Sequence, residues 1–212
     1  NSNVHAYIKI PHIRSMSLAG LLCLSLLTGC LGSSSPVVKF YVLSPLPEVT
    51  GNTDSRPLAI EISTIHLPQY LDRPHIVTRS SDNRLTLLQS HQWGGNLRKD
   101  MMRTLAINLS RLLNTPNVTI APHRSSSQSD YRVSIEVLKF EKDADDHVRL
   151  TAQWQITSGI ERALLATQIS TLSSAQPVPP GNPEEVVAMM SDEFGELARI
   201  IAETIQKADS SK

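Results

Sequence analysis

The stretches YRVSIEV (residues 131–137) and VRLTAQWQI (residues 148–156) decide the fold of this chain. Tyr131, Val133, Ile135 and Val137 alternate with Arg132, Ser134 and Glu136. Val148, Leu150, Ala152, Trp154 and Ile156 alternate with Arg149, Thr151, Gln153 and Gln155. A period of two over this length is the signature of a half-buried β-strand. The acidic link Asp143–Asp146 reads as the hairpin turn between them. Gly159 opens a second turn, and Leu164 to Leu172 reads as a third strand. One apolar and one polar face per strand predicts an antiparallel meander covered on one side.

Toward the C-terminus, Pro177 to Pro183 breaks the β pattern. Asn182 can cap a helix, Pro183 suits its first position, and Glu185 completes a capping-box-like arrangement. Val186, Met190, Phe194, Leu197, Ile201 and Ile205 then recur at helical spacing, and residues 208–212 read as a frayed tail.

Toward the N-terminus, the period is helical from Leu97 to Leu113, with Leu97, Met101, Leu105, Leu109 and Leu112 on one stripe. Gly94-Gly95-Asn96 is the entry, and Asn114 with Pro116 is the stop. Val118 to Ile120 is a short strand, followed by a Ser-rich loop at 124–130. Further upstream, Val37 to Leu43 and Leu58 to Leu67 read as strands. His75 to Arg79 and Arg84 to Leu88 form a hairpin across Asp82-Asn83. Two helices and a large sheet predict a single α/β domain over residues 37–207, with a mixed, largely antiparallel sheet.

The stretch preceding that domain is of another kind. Leu18 to Leu27 is apolar save for Ser25, is preceded by Lys9 and Arg14, and ends in Leu27-Thr28-Gly29-Cys30. A basic start, a short apolar run and a small residue before the cut describe a secretory signal, here residues 1–29. The run is too short to span a bilayer, which needs roughly 20 apolar residues. Leu-Thr-Gly-Cys resembles the lipobox of bacterial lipoproteins, in which the cysteine becomes the first mature residue and carries the lipid. Cys23 follows bulky Leu22 and does not fit that pattern, so Cys30 is the expected lipidation site. Residues 31–36 form a Gly/Ser tether that reaches roughly 20 Å at about 3.5 Å per residue. Leu31, where Asp commonly marks inner-membrane retention, directs the expectation to the periplasmic face of the outer membrane of a Gram-negative bacterium.

Charge and cysteine usage narrow the function. The chain has 20 basic and 20 acidic side chains. Lys9 and Arg14 leave with the signal, so the mature chain is faintly acidic and lacks the basic excess of a nucleic-acid binder. Cys23 also leaves, and Cys30 is acylated, so no disulfide is expected. No Gly-x-Ser-x-Gly elbow and no Gly-rich phosphate loop occur. His66, His75, His91, His123 and His147 are scattered without metal-ligand spacing. Asp72 with His75 is at most half of an acid/base pair. Asp143, Asp145 and Asp146 lack the Gly and distal Glu of a calcium loop. The expectation is no catalytic residue, no metal and no cofactor.

The block LPQYLDRPHIVTR, Leu67 to Arg79, carries a resemblance. It is similar to the auxiliary lipoproteins of ABC-type and MCE-type lipid transport systems, the group of the paraquat-inducible protein C lipoprotein. Further points of likeness are Cys30, Phe40-Tyr41-Val42-Leu43-Ser44-Pro45, Trp93 before the first helix, Asn108-Leu109, and Phe194-x-x-Leu-Ala-x-x-Ile. After the tryptophan that family usually shows an acidic or polar residue and Pro-Leu, where this chain has Gly94-Gly95-Asn96-Leu97. The resemblance implies a three-layer α/β sandwich of anticodon-binding-like or TolB amino-terminal-like type. It also implies a non-enzymatic partner of a periplasmic MCE-domain protein and inner-membrane transport components. Tyr70, Leu71, Arg73 and Pro74 are then the candidate partner interface. The alternative is that this loop packs the sheet edge, with Arg73 in a structural salt bridge. A homo-oligomer is compatible with either reading. A second functional reading, an envelope lipoprotein that activates a cell-wall enzyme or supports a secretion complex, shares the same fold type.

Overall fold

The computed structural model describes residues 37–48, 56–122 and 128–211. Cys30, the signal and the tether lie outside these residues. From Val38 onward the chain forms one compact unit. Its elements are β1 (Lys39–Tyr41), β2 (Ile60–His66), β3 (His75–Ser81), β4 (Arg84–Trp93), α1 (Leu97–Leu112), β5 (Val118–Ile120), β6 (Tyr131–Lys142), β7 (Val148–Ser158), β8 (Leu164–Ser173) and α2 (Pro183–Ser210).

The eight strands form one mixed sheet, curled into a half-barrel. β6, β7 and β8 are the antiparallel meander expected from the alternation. Tyr131, Val133, Ile135 and Val137 of β6 and Val148, Leu150, Ala152, Trp154 and Ile156 of β7 are buried. The alternation in β6 fails after Val137 because a bulge sits between Val137 and Lys139. The bulged Leu138 is exposed and Phe140 takes the next core position. An extra residue at a bulge flips the parity of every residue beyond it.

The helices pack against each other and against the apolar face of the sheet, α1 over β2 and β5, α2 over β6, β7 and β8. Leu97, Met101, Leu105 and Leu109 of α1 are buried, as are the six expected residues of α2. The Asn96 side chain caps α1 by accepting from Lys99 N at 3.1 Å, so Gly94-Gly95-Asn96 is a working helix entry. The Asn182 side chain caps α2 by accepting from Glu185 N at 3.3 Å, and its amide donates back to the Glu185 carboxylate at 2.7 Å.

The first strand is shorter than the apolar run Val37–Leu43 predicts. Paired residues end at Tyr41, and the chain turns away as an extended strap across the helices. Leu43 N donates to Asp100 Oδ2 at 2.8 Å, Ser44 N to Ser191 Oγ at 3.0 Å, and Leu46 N to Asn108 Oδ1 at 2.8 Å. Arg111 donates to the Leu46 carbonyl. Pro45 and Pro47 lack an N–H and cannot supply a sheet ladder, so side chains of the helices satisfy the donors that remain. Gly195 makes room for the strap: a Cβ there would lie 2.6 Å from Leu46 Cδ2.

Gly159, at the β7–β8 turn, tests how closely the meander fits its surroundings. A Cβ there would stand 1.8 Å from the Ser129 carbonyl oxygen, which is backbone and cannot rotate aside. Gly159→Ala is expected to lower the unfolding free energy by about 1–3 kcal/mol, measured by urea denaturation. Wild-type stability in this variant would show that the turn moves freely.

Candidate docking site

The Leu67–Arg79 block owes its shape to an interrupted strand. β2 runs parallel to β6 as far as the pair His66–Glu136. β3 resumes along the same edge of β6 at the pair Thr78–Lys142. His66 to Thr78 is twelve residues and Glu136 to Lys142 is six, so the surplus loops out as Leu67–Pro74. Pro68 and Pro74 suit such a segment, since neither can donate to a ladder.

Glu141, in the gap this leaves along β6, organises the loop. It is fully buried. Tyr70 Oη donates to its Oε2 at 2.8 Å and Arg79 Nε to its Oε1 at 2.9 Å. Phe140 N, left without a strand partner on this edge, donates to Glu141 Oε2 at 3.0 Å. Three donors on one carboxylate make a buried charge tolerable. Burial, reinforced by the bond to Glu141 and its charge, pushes the Tyr70 phenol well above its ordinary range. Burial works against the Arg79 charge, but the Glu141 bond and charge outweigh it and hold the guanidinium above its usual value.

The four residues picked from the sequence therefore separate. Tyr70 is half-buried and bound to Glu141, and Leu71 is in the core. Arg73 is half-buried, its Nε has no hydrogen-bond partner, and it has no ion pair among the described residues. The salt bridge belongs instead to Arg79, with Glu141 at 2.8 Å and Asp143 at 3.6 Å. Pro74 is exposed, and its carbonyl accepts from Trp93 N at 2.7 Å. Gln69 and Asp72 also face solvent, and Asp72 accepts from Asn96 Nδ2 at 3.2 Å. Asp72 and His75 are not paired: His75 meets Gln92 at 3.5 Å.

The sequence reading missed Glu141 and Asp100, and took Asn108 only as a point of family likeness. Asp100, Thr104 and Asn108 recur every four residues beside the apolar stripe of α1, and that spacing was the available signal. Glu141 carried none, because its face is set by the bulge at Leu138.

The acidic turn Asp143–Asp146 is a charge cluster. Asp143 pairs with Lys139 at 2.6 Å and with Arg149, and Asp145 pairs with Arg149. Burial raises the Asp143 pKa, but the bonds from Lys139 and Arg149 outweigh it and hold the carboxyl below its ordinary value. The bond from Arg149 carries Asp145 down to about 2. Among the described residues no group of three His, Cys, Asp or Glu is placed to hold a metal ion. No described helix is long and apolar enough to cross a membrane.

The profile of a family described as ABC-type transport auxiliary lipoprotein component matches residues 41–202. Among solved structures, the chain resembles the crystal structure of an uncharacterized protein at 19% identity and a TM-score of 0.64, covering 80% of this chain and 99% of that one. It also resembles a Xanthomonas campestris protein of the DUF330 family at 14% identity and a TM-score of 0.68, covering 82% of this chain and 100% of that one. At these identities the likeness concerns the fold. The chain matches no curated protein.

Two outcomes test the electrostatics. Tyr70→Phe is expected to cost about 1–3 kcal/mol of stability, because Glu141 loses a donor it cannot replace from water; urea unfolding measures it. Asp145 has a depressed folded-state pKa. Its contribution is present above the unfolded value of about 3.9 and is lost as pH falls toward about 2. In Arg149→Met, carboxyl NMR should find the Asp145 pKa moved up toward the ordinary value, and stability should fall less steeply across that window. An unmoved Asp145 would assign the depression to another group.

Proposed function

The chain belongs to the family of ABC-type transport auxiliary lipoproteins, and we propose that it is the outer-membrane-anchored, non-enzymatic component of an intermembrane lipid transport system. In this reading Cys30 carries the acyl chains, and the short tether holds the domain against the periplasmic face of the outer membrane. The Leu67–Pro74 loop docks a periplasmic MCE-domain partner of an inner-membrane transporter, supporting envelope integrity.

The observation that carries this reading is the construction of the loop. Tyr70 and Leu71 fasten it from within, while Gln69, Asp72 and Pro74 face solvent. A protrusion ordered before binding loses little conformational freedom on docking, which favours its use as a contact surface. Arg73 strengthens the reading. Its Nε is buried and out of a partner's reach, but the terminal nitrogens of this half-buried guanidinium make no ion pair among the described residues and are left to meet a carboxylate or carbonyl of a partner.

Cys30→Ala is expected to abolish incorporation of labelled palmitate. Undiminished labelling of the variant would overturn the anchor. Arg73→Ala combined with Pro74→Ala is expected to reduce capture of the MCE-domain partner by about tenfold or more, with circular dichroism reporting an intact fold. Undiminished capture by the folded variant would remove the loop from the interface.

A further inference from the structure

The alternation of β1 and its neighbours leaves an apolar surface that the core does not use. Val38, Phe40 and Val42 fall on one side of the extended chain, 38%, 66% and 55% exposed. On the other side, Tyr41 donates to or accepts from His91 Nδ1 at 2.8 Å, and Leu43 enters the core. Three successive same-face positions are therefore apolar and open to solvent, including the most exposed aromatic ring among the described residues. Phe40 and Val42 border a groove of ≈ 470 Å³ whose far wall is the start of α2 at Glu184, Val187 and Ala188. Exposed large apolar side chains are ordinary one at a time; a contiguous row of them marks a contact surface.

The chain's own geometry identifies the contact. Cys30 precedes Val38 by eight residues, a separation of at most roughly 28 Å when fully extended. β1 runs parallel to β4, pairing Lys39 with His91 and Tyr41 with Trp93. The strand's first residue is therefore the one next to the tether, and the apolar row begins where the tether ends. We propose that Val38, Phe40 and Val42 insert into the lipid interface of the membrane that holds the Cys30 acyl chains, as a second anchoring element that fixes the orientation of the domain. This rests on the lipoprotein reading of Cys30.

The driving force is apolar burial rather than charge. Lys39 stands in the row's immediate neighbourhood, and Glu184 lies on the facing wall of the groove, so opposite charges border it. Insertion should therefore proceed on zwitterionic lipid as well as on anionic lipid, since charge attraction to the surface is not required. Lys39 can extend its ammonium to the phosphate level while its stem stays in the apolar layer. An acyl anchor alone lets a domain swivel. Three inserted side chains would remove that freedom and hold β1 and the neighbouring end of β4 toward the bilayer.

The test uses the full-length lipidated protein carrying Phe40→Trp, reconstituted into phosphatidylethanolamine vesicles with and without phosphatidylglycerol. Trp93 and Trp154 are buried, so lipid-borne quenchers report on the new indole. Circular dichroism verifies the fold, and Ile169→Trp, exposed on β8, serves as the control. The expected result is quenching of the residue-40 indole by brominated acyl chains on both vesicle types, with a blue-shifted emission and no such change for the residue-169 indole. An indole at residue 40 that remains as open to aqueous acrylamide on vesicles as in the unlipidated Cys30→Ser chain would overturn the proposal. So would protection from acrylamide without lipid, accompanied by cross-linked dimers, which would assign the row to a second copy. Failure of the lipoprotein reading registers separately, as an unacylated Cys30 peptide in mass spectrometry. In that case no bilayer is held beside the row, and the proposal falls with it.

Discussion

A single buried carboxylate, Glu141, bridges the gap where one edge of the central strand β6 changes partners. β6 is served on one edge by β7 along its length and on the other by two separate strands, β2 and then β3. Between those two partners the backbone of β6 has no ladder. Glu141 substitutes for it: its carboxylate takes the Phe140 N–H, the Tyr70 hydroxyl and the Arg79 guanidinium. The three donors come from β6, the loop and β3, so the group joins both halves of the interrupted edge. A hydrophobic side chain at this position could fill the space but would leave Phe140 N and the Tyr70 hydroxyl without an acceptor, and an unmade buried hydrogen bond costs more than a made one contributes.

The same logic recurs on the helix side. The strap from Leu43 to Leu46 has no strand neighbour, and Asp100, Ser191 and Asn108 receive its three N–H groups. Asp100 is buried and also bonded to Arg103, so its charge is balanced. The strap ties the N-terminal end of the domain to both helices at once. In both places polar side chains on regular elements complete irregular backbone. That is how a chain with Pro45, Pro47, Pro68 and Pro74 in its connections still pairs the backbone N–H groups of Leu43, Ser44, Leu46 and Phe140.

Sequence periodicity made the order of elements readable because the core is built from one face of each element. Tyr131–Val137, Val148–Ile156 and the α2 stripe all report burial directly. Where burial and period part company, the reading stopped. Leu138 shifts the phase of β6, so Glu141 could not be assigned a face from its position. Val37–Leu43 is apolar save for Lys39, yet Tyr41 is the last paired residue, because the following prolines deny the ladder and the helix side chains take the N–H groups. Arg73 and Arg79 are six residues apart in one block and look equally suited to a salt bridge. Which of them reaches Glu141 depends on where β3 rejoins β6, a register that local sequence does not encode. Leu71 has the same ambiguity: exposed and buried leucines look alike in a loop.

The register of β4 brings the Leu67–Pro74 loop and the apolar row of β1 to one end of the domain. Trp93 N donates to the Pro74 carbonyl, and Gly94 N donates to the Tyr41 carbonyl. Consecutive residues at the end of β4 thus fasten the Leu67–Pro74 loop on one side and the last residue of β1 on the other. A Cβ at Gly94 would come within 3.2 Å of Val42 Cγ1, which shows how closely that side is packed. A domain fixed to a bilayer through β1 therefore presents the Leu67–Pro74 loop beside the lipid surface, not at the far end of the molecule. A partner bound there must itself approach the membrane. Under the proposed transport role, that placement would shorten the exposure of an apolar ligand to water as it reaches the bilayer.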